Sequence, residues 1–162
     1  MSISTAKIYP HLWYVKHAEK AARFYVSIFP DSRIDHVTYM PTETPAGPPG
    51  SVQVVDFTLF GQRFQAISAG PHHDFNDAIS FVVLCETQEE LDRYWYALLE
   101  GGGQPQACGW LIDKFGVRWQ ILPRLLDEIM RGDNPEGGKR AADALMKMVK
   151  IGIVALEAAY YG

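Results

Sequence analysis

A seven-residue pattern that occurs twice limits what this chain can fold into more than any other feature. Gly61-Gln62-Arg63-Phe64-Gln65-Ala66-Ile67 and Gly116-Val117-Arg118-Trp119-Gln120-Ile121-Leu122 both follow Gly-x-Arg-aromatic-Gln-x-aliphatic. Upstream, Glu19 and Arg23-Phe24-Tyr25 are matched by Glu89 and Arg93-Tyr94-Trp95 at a larger offset. Two matches in the same order point to a duplicated supersecondary unit, because each copy must use one local fold. The difference between the offsets requires extra chain in the first copy, and Pro41 to Gly50 (PTETPAGPPG) supplies it as a Pro/Gly-rich loop.

The periodicity between these landmarks gives the unit its shape. Ile8 to Val15 is a short aromatic and β-branched run, expected as a strand. His17 to Phe29 changes to helical spacing, with Ala18, Ala21, Ala22, Tyr25, Ile28 and Phe29 on one stripe. Strands are expected over Arg33 to Met40, Ser51 to Leu59 and Gln62 to Ser68, followed by a connector from Gly70 to Asn76. The series then restarts. A strand over Ala78 to Cys85 precedes a helix over Thr87 to Leu99, whose Thr87 and Glu90 suit a capping box. Strands over Gln104 to Ala107, Trp110 to Asp113 and Val117 to Pro123 complete it. The order is βαβββ twice, an α+β chain with a first module over 1–69 and a second over 70–123. Helices are expected over Leu125 to Arg131, Glu136 to Val149 and Ile151 to Tyr160, so residues 124–162 form a C-terminal helical extension within one structural domain. In that extension Met146, Met148, Ile151, Val154 and Leu156 are too apolar to stay solvated, and are expected to pack on the sheet or on a second subunit.

Charge and composition exclude several function classes. A net charge of −4 and a pI near 5.7 leave no basic footprint for nucleic acid or an anionic membrane. No apolar run approaches the roughly 20 residues that cross a bilayer, and Met1 to Lys7 lacks the apolar stretch of a secretory leader. The two cysteines, Cys85 and Cys108, make neither a disulfide framework nor a CxxC pair, so a reducing, cytoplasmic setting is expected.

The same residues carry a family resemblance. His11-Leu12-Trp13-Tyr14, Ala21 to Tyr25, Phe29-Pro30-Asp31-Ser32, Val55 to Leu59 and Gly61 to Phe64 contribute to it. So do Gly70-Pro71-His72, Thr87 to Glu90, Asp92 to Trp95, Cys108 to Leu111 with Asp113, Phe115-Gly116 and Trp119-Gln120. With these motifs the chain resembles the vicinal-oxygen-chelate superfamily of glyoxalases, extradiol dioxygenases and bleomycin and fosfomycin resistance proteins. Within it the chain is most similar to the PhnB-like family often labelled 3-demethylubiquinone-9 3-methyltransferase. The resemblance implies edge-to-edge modules, a curved, partly open barrel around a cavity, and a homodimer. It leaves the chemistry open, since this scaffold hosts enzymes and plain binders alike.

Metal-using relatives place four cavity-facing ligands on the first and last strands of the modules. Aligned through the repeat, those positions fall at Pro10, Gln65, Ser80 and Gln120. A proline, a serine and two amides are a poor set for a divalent cation, so no metal or other cofactor is expected. His11 lies next to one position, but alternation from Pro10 turns it to the opposite face. The same parity sends Leu12, Tyr14, Arg63, Gln65, Ser80, Val82, Arg118 and Gln120 inward. Paired arginines and glutamines there would suit a planar or anionic ligand; alternatively, the arginines lie at the rim and pair with acidic neighbours.

Other candidates carry two readings each. Asp56 interrupts an apolar strand, either as a buried acid in the cavity or as a partner for an arginine across the sheet. His72 touches ligand or is a solvated loop histidine, and Trp110 is a candidate pocket wall. Cys108 has no activating histidine in its segment and is expected to be a packed thiol. The expected ligand-binding residues are therefore Tyr14, Asp56, Arg63, Gln65, His72, Ser80, Trp110, Arg118 and Gln120. The expected function is binding of a small metabolite or toxic compound, with an enzyme on the same scaffold as the alternative. The methyltransferase label finds no support, because no Gly-rich turn follows Ile8 to Val15, and Gly101-Gly102-Gly103 ends a helix rather than opening one.

Overall fold

The computed structural model describes residues 6–162; Met1 to Thr5, part of the segment read above for a leader, lie outside the described residues. The chain divides into two compact units between Asp74 and Phe75.

The first unit runs β1 (His11–Tyr14), α1 (Ala18–Ile28), β2 (Arg33–Tyr39), β3 (Gln53–Leu59) and β4 (Gln62–Ser68). Its sheet has the order β1-β4-β3-β2, with β1 parallel to β4 and the other pairs antiparallel. The turn from β3 to β4 is tight because Phe60 and Gly61 both take positive φ, the twist that matches a two-residue hairpin. Helix α1 packs on β3, β2 and β4 through the expected stripe, burying Ala18, Ala21, Ala22 and Tyr25. Beneath them the sheet supplies Leu12, Tyr14, Val55, Phe57, Phe64 and Ala66, all buried.

The second unit runs β5 (Phe81–Cys85), α2 (Gln88–Leu99), β6 (Gln104–Pro105), β7 (Trp110–Ile112) and β8 (Arg118–Pro123), then α3 (Arg124–Arg131), α4 (Pro135–Leu145) and α5 (Ile153–Tyr161). Its sheet order, β5-β8-β7-β6, has the same form, again with first and fourth strands parallel. The fold is thus the expected α+β pair of βαβββ units with C-terminal helices. Thr87 caps α2 by accepting the Glu90 N–H, while the Glu90 carboxylate reaches the N–H of Glu86, one residue before the cap.

Several expected elements differ: β1 and β5 begin at His11 and Phe81 rather than Ile8 and Ala78, which leaves Pro10 and Ser80 just before their strands. The strand over Gln104 to Ala107 shrinks to the two residues of β6, followed by a 3-10 turn at Ala107–Gly109 with Cys108 at φ 59°. The helix expected to Val149 stops at Leu145, because the chain beyond it serves the 3-10 turn. Met148 and Val149 carbonyls accept the N–H groups of Cys108 and Gly109. A Cβ on Gly109 would lie 2.8 Å from Ile151 Cδ1 and 2.9 Å from the Ile121 carbonyl, so glycine is what admits this close crossing. Ile151 and Leu156 are fully buried, whereas Met146 and Val154 stay exposed.

Asp113 organises the turn before β8. Its Oδ1 accepts the N–H groups of Phe115 and Val117, and its Oδ2 accepts Trp119 Nε1, all while 3% exposed. Asp113→Ala strands three donors and should cost roughly 2–4 kcal/mol of unfolding free energy. Urea denaturation checks this; a loss under about 0.5 kcal/mol would show that the turn holds without the carboxylate.

Candidate functional site

The single helix of the first unit covers one face of its sheet, and the other face collects the polar residues. Register puts His11 opposite Gln65 on β1 and β4, Gln65 opposite Asp56 on β4 and β3, and Asp56 opposite His36 on β3 and β2. Directly paired residues share a face, so these four side chains form a row across the sheet.

Hydrogen bonds run along that row. His11 Nδ1 lies 2.8 Å from Gln65 Oε1, and Gln65 Nε2 donates to Asp56 Oδ1 at 3.1 Å. The same Asp56 oxygen takes Arg63 Nη2 at 2.9 Å. With the Gln65 oxygen accepting, His11 donates from Nδ1, and in the neutral ring its Nε2 is then an acceptor. The Asp56 carboxylate raises the Arg63 pKa above its ordinary value, and the guanidinium also lies over the Tyr9 ring, 3.9 Å from its centroid. The second reading of Asp56 applies: 8% exposed, it is paired with an arginine on the neighbouring strand.

His11 is the residue that sequence reasoning sent to the wrong face. Leu12 and Tyr14, expected inward with Gln65, turn instead to the α1 side, where Tyr14 is 4% exposed and its hydroxyl lies 3.3 Å from that of Tyr25. The cause is hydrophobic sorting: a sheet with one helix has one dry face, and Leu12 and Tyr14 fill it better than His11 and Trp13.

His72 stands near the other end of the polar face. Its ring meets Trp13 edge-on at 6.2 Å between centroids, and His73 meets the same indole at 5.0 Å. Trp13 Nε1 donates to the Gly70 carbonyl, which ties the connector to β1. Beside them lies a cavity of about 150 Å³. A larger depression of about 440 Å³ at the start of α1 involves Glu19, Arg23 and Gln53, whose polar groups are already paired with one another.

In the second unit Gln120 Nε2 donates to Ser80 Oγ at 2.8 Å, and by register Gln120 lies between Val82 and Trp110. Arg118 is committed elsewhere: it binds Asp77, the Phe75 carbonyl and the Gly116 carbonyl. The reading that an arginine pairs with an acidic neighbour applies to it. Trp119 packs on the helix side of β8, as alternation requires. Neither thiol belongs to a site. Burial pushes Cys85 up to about 12, and Cys108 sits in the 3-10 turn.

The register also moves the metal question by one residue. The side chains directly opposite Gln65 and Gln120 are His11 and Val82, not Pro10 and Ser80. On the first sheet the row holds the imidazoles of His11 and His36 at its two ends, with Gln65 and Asp56 between them already bonded to each other; the second offers an amide, a hydroxyl and an alkyl chain. Among the described residues, no three His, Cys, Asp or Glu side chains come together. This donor set does not fit a divalent ion.

Residues 6–122 match the protein family described as 3-demethylubiquinone-9 3-methyltransferase. A solved PhnB protein from Bacillus cereus, itself described as a 3-demethylubiquinone-9 3-methyltransferase, is 33% identical over 72% of this chain and 99% of its own, with a TM-score of 0.62. A protein from Pseudomonas aeruginosa aligns at 19% identity over 74% and 98%, TM-score 0.56. The fosfomycin resistance protein FosX from Listeria monocytogenes, solved with Mn(II) and sulfate, aligns at 14% identity over 72% and 90%, TM-score 0.52. Among curated proteins there is no match.

The donor set has a direct consequence for purified protein. After dialysis, elemental analysis should find well under one equivalent of zinc, nickel, manganese or iron per chain; about one equivalent would overturn the ligand assignment.

Proposed function

The chain belongs to the PhnB-like, 3-demethylubiquinone-9 3-methyltransferase family of the vicinal-oxygen-chelate superfamily, and from that premise we propose that it binds a small organic molecule without using a metal. The carrying observation is the His11–Gln65–Asp56–Arg63 chain on the face that α1 leaves open. Each member is held by the next, so the row presents His11 Nε2 and the Gln65 amide in fixed positions. A ligand's polar group meets partners that need no reordering, which lowers the cost of binding. Gln120 with Ser80, beside Trp110, offers a second pre-set polar pair. The ligand class is a metabolite or a toxic compound held by sequestration.

An enzyme on the same scaffold is the second reading, and the same chain favours it: a histidine backed by an amide and a carboxylate is arranged to take a proton. The methyltransferase in the family description has less behind it. Neither strand-to-helix connection, Val15 to His17 or Glu86 to Thr87, contains the glycine turn that cradles such a cofactor.

The working assembly is a homodimer in the cytoplasm, with the tail at or near the contact. Val154, Ala158 and Tyr161 recur at helical spacing on α5, and Val154 and Tyr161 are 77% and 75% exposed. No helix among the described residues is long and apolar enough to cross a membrane.

Small molecules released by denaturing the purified protein, identified by mass spectrometry, test the binding reading. Wild type should release a compound that Gln65→Leu retains far less, with a binding loss of roughly 1–3 kcal/mol. Trp119→Leu should lower the melting temperature while the folded fraction keeps the compound. If Trp119→Leu loses it and Gln65→Leu does not, the polar row is not the site. Conversion of the compound by wild type, and not by His11→Ala, would instead establish the enzyme.

Assembly is tested by sedimentation at micromolar concentration. Wild type should run as a dimer and Val154→Asp with Tyr161→Asp as a monomer; a monomeric wild type removes the tail contact from the account.

A further inference from the structure

The apolar cavity next to the polar row narrows the ligand class. Its floor is Trp13 and Ile67, a register pair on β1 and β4; Met40 and Val52 form the walls where the chain enters and leaves the Pro-rich loop, and Pro45 and Ala46 close it from the loop tip. Ala69 and His72 complete the lining, the His72 ring set edge-on to Trp13. Trp13 Nε1 donates to Gly70 O, and Thr44 Oγ1 accepts the Ala46 N–H. A largely apolar cavity of about 150 Å³ matches the size of a benzene-sized guest.

The loop over this cavity is a built feature. Thr44 and Gly47 exchange backbone hydrogen bonds at 2.9 and 3.0 Å, Met40 N–H donates to Val52 O, and Gly50 N–H donates to Met40 O. Four prolines from Pro41 to Pro49 restrict the same segment, so holding this conformation costs less chain entropy.

Position ties the cavity to the polar row. Trp13↔Ile67 follows His11↔Gln65 two residues along the same strands, on the same face, a spacing of roughly 7 Å. A ring seated on Trp13 and Ile67 therefore reaches the row with a substituent of about two or three atoms. We propose that this cavity is a subsite for a single unfused ring, and that the ligand is a monocyclic aromatic compound bearing a short hydroxyl- or amine-ended chain that donates to His11 Nε2. The second half rests on the reading of the polar row given above; the ring subsite stands on the cavity alone.

Toluene and phenethyl alcohol, titrated into the full-length protein and followed by amide chemical shifts, separate the two halves. Wild type should bind both saturably, with shifts centred on Ala46 and Ile67, and the alcohol roughly tenfold tighter. Ala46→Phe, at an exposed loop tip, should fill the cavity and abolish both; Met40→Trp repeats the blockade from the opposite wall if the first variant fails to fold. Gln65→Leu should erase the alcohol's advantage and leave toluene unchanged. No saturable toluene binding, or binding indifferent to both blocking variants, overturns the subsite. Toluene binding that the blocking variants abolish, with no advantage for the alcohol, keeps the subsite and overturns the link to the polar row.

Discussion

The parallel pairing of β1 with β4 is the constraint on which the first unit's chemistry depends. β1 has four residues, and a slip of one would exchange its two faces entirely. Several contacts prevent that slip. Leu12 and Tyr14 are buried under α1, the Tyr14 and Tyr25 hydroxyls meet, and Ser68 Oγ, opposite Tyr14, accepts the first N–H of α1. Backbone bonds from Gln65 to Pro10, Ala69 to Tyr14 and Gly70 to Val15 extend the pairing beyond the strand's own ends. A fixed register then places His11 beside Gln65 and Trp13 beside Ile67 without further help. The helix-packed face thus positions the polar one.

Most of the element order and the faces of β4 and β8 were legible, because Gly-x-Arg-aromatic-Gln alternates cleanly and leaves one parity for the core. The face of β1 was not. Alignment through the helices pairs Glu19 with Glu89 and so Pro10 with Ser80, but register in the sheets pairs His11 with Val82. The discrepancy is one residue, and it lies in the connections. Val15, Lys16 and His17 join β1 to α1, whereas Glu86 and Thr87 alone join β5 to α2. The added residue is absorbed at His17, which takes φ 72° and ψ 28° before α1 begins, while Thr87 keeps an extended conformation. A non-glycine residue in the left-handed region is uncommon, though histidine is among the types that tolerate it, and nothing in its identity announces it. The apolar pairing of Leu12 and Tyr14 was the signal that would have corrected the parity.

The repeated motif also shows how far equal spacing carries and where it stops. Arg63 and Arg118 occupy equal places in the pattern, as do Gln65 and Gln120, and all four leave the helix-covered faces of their sheets. Their partners differ because the neighbouring strand differs. Opposite Gln65 stands Asp56, which holds both Gln65 and Arg63; opposite Gln120 stands Trp110, which can hold neither. Arg118 consequently turns to Asp77 and two carbonyls, and Gln120 to Ser80. Backbone placement follows from the motif, but the chemistry follows from what one strand over provides.

The residues after the family match, which ends at 122, take part in the second unit's core. Gln88, the first residue of α2, donates to the Ile151 carbonyl and accepts the Ile153 N–H, and Lys150 pairs with Asp92 on the same helix. That pairing lowers the Asp92 pKa and raises that of Lys150. Ile151 is fully buried against Gly109, whose missing side chain leaves the room it occupies. A neighbour that fills space made by a glycine cannot be removed without leaving a hole beside Ile121 and Leu122, and such holes are costly in a packed interior. The crossing at Met148 to Ile151 therefore holds the 3-10 turn before β7, and through it the strand that carries Trp110 opposite Gln120. In this chain the extension is part of what positions Trp110 beside the Gln120–Ser80 pair.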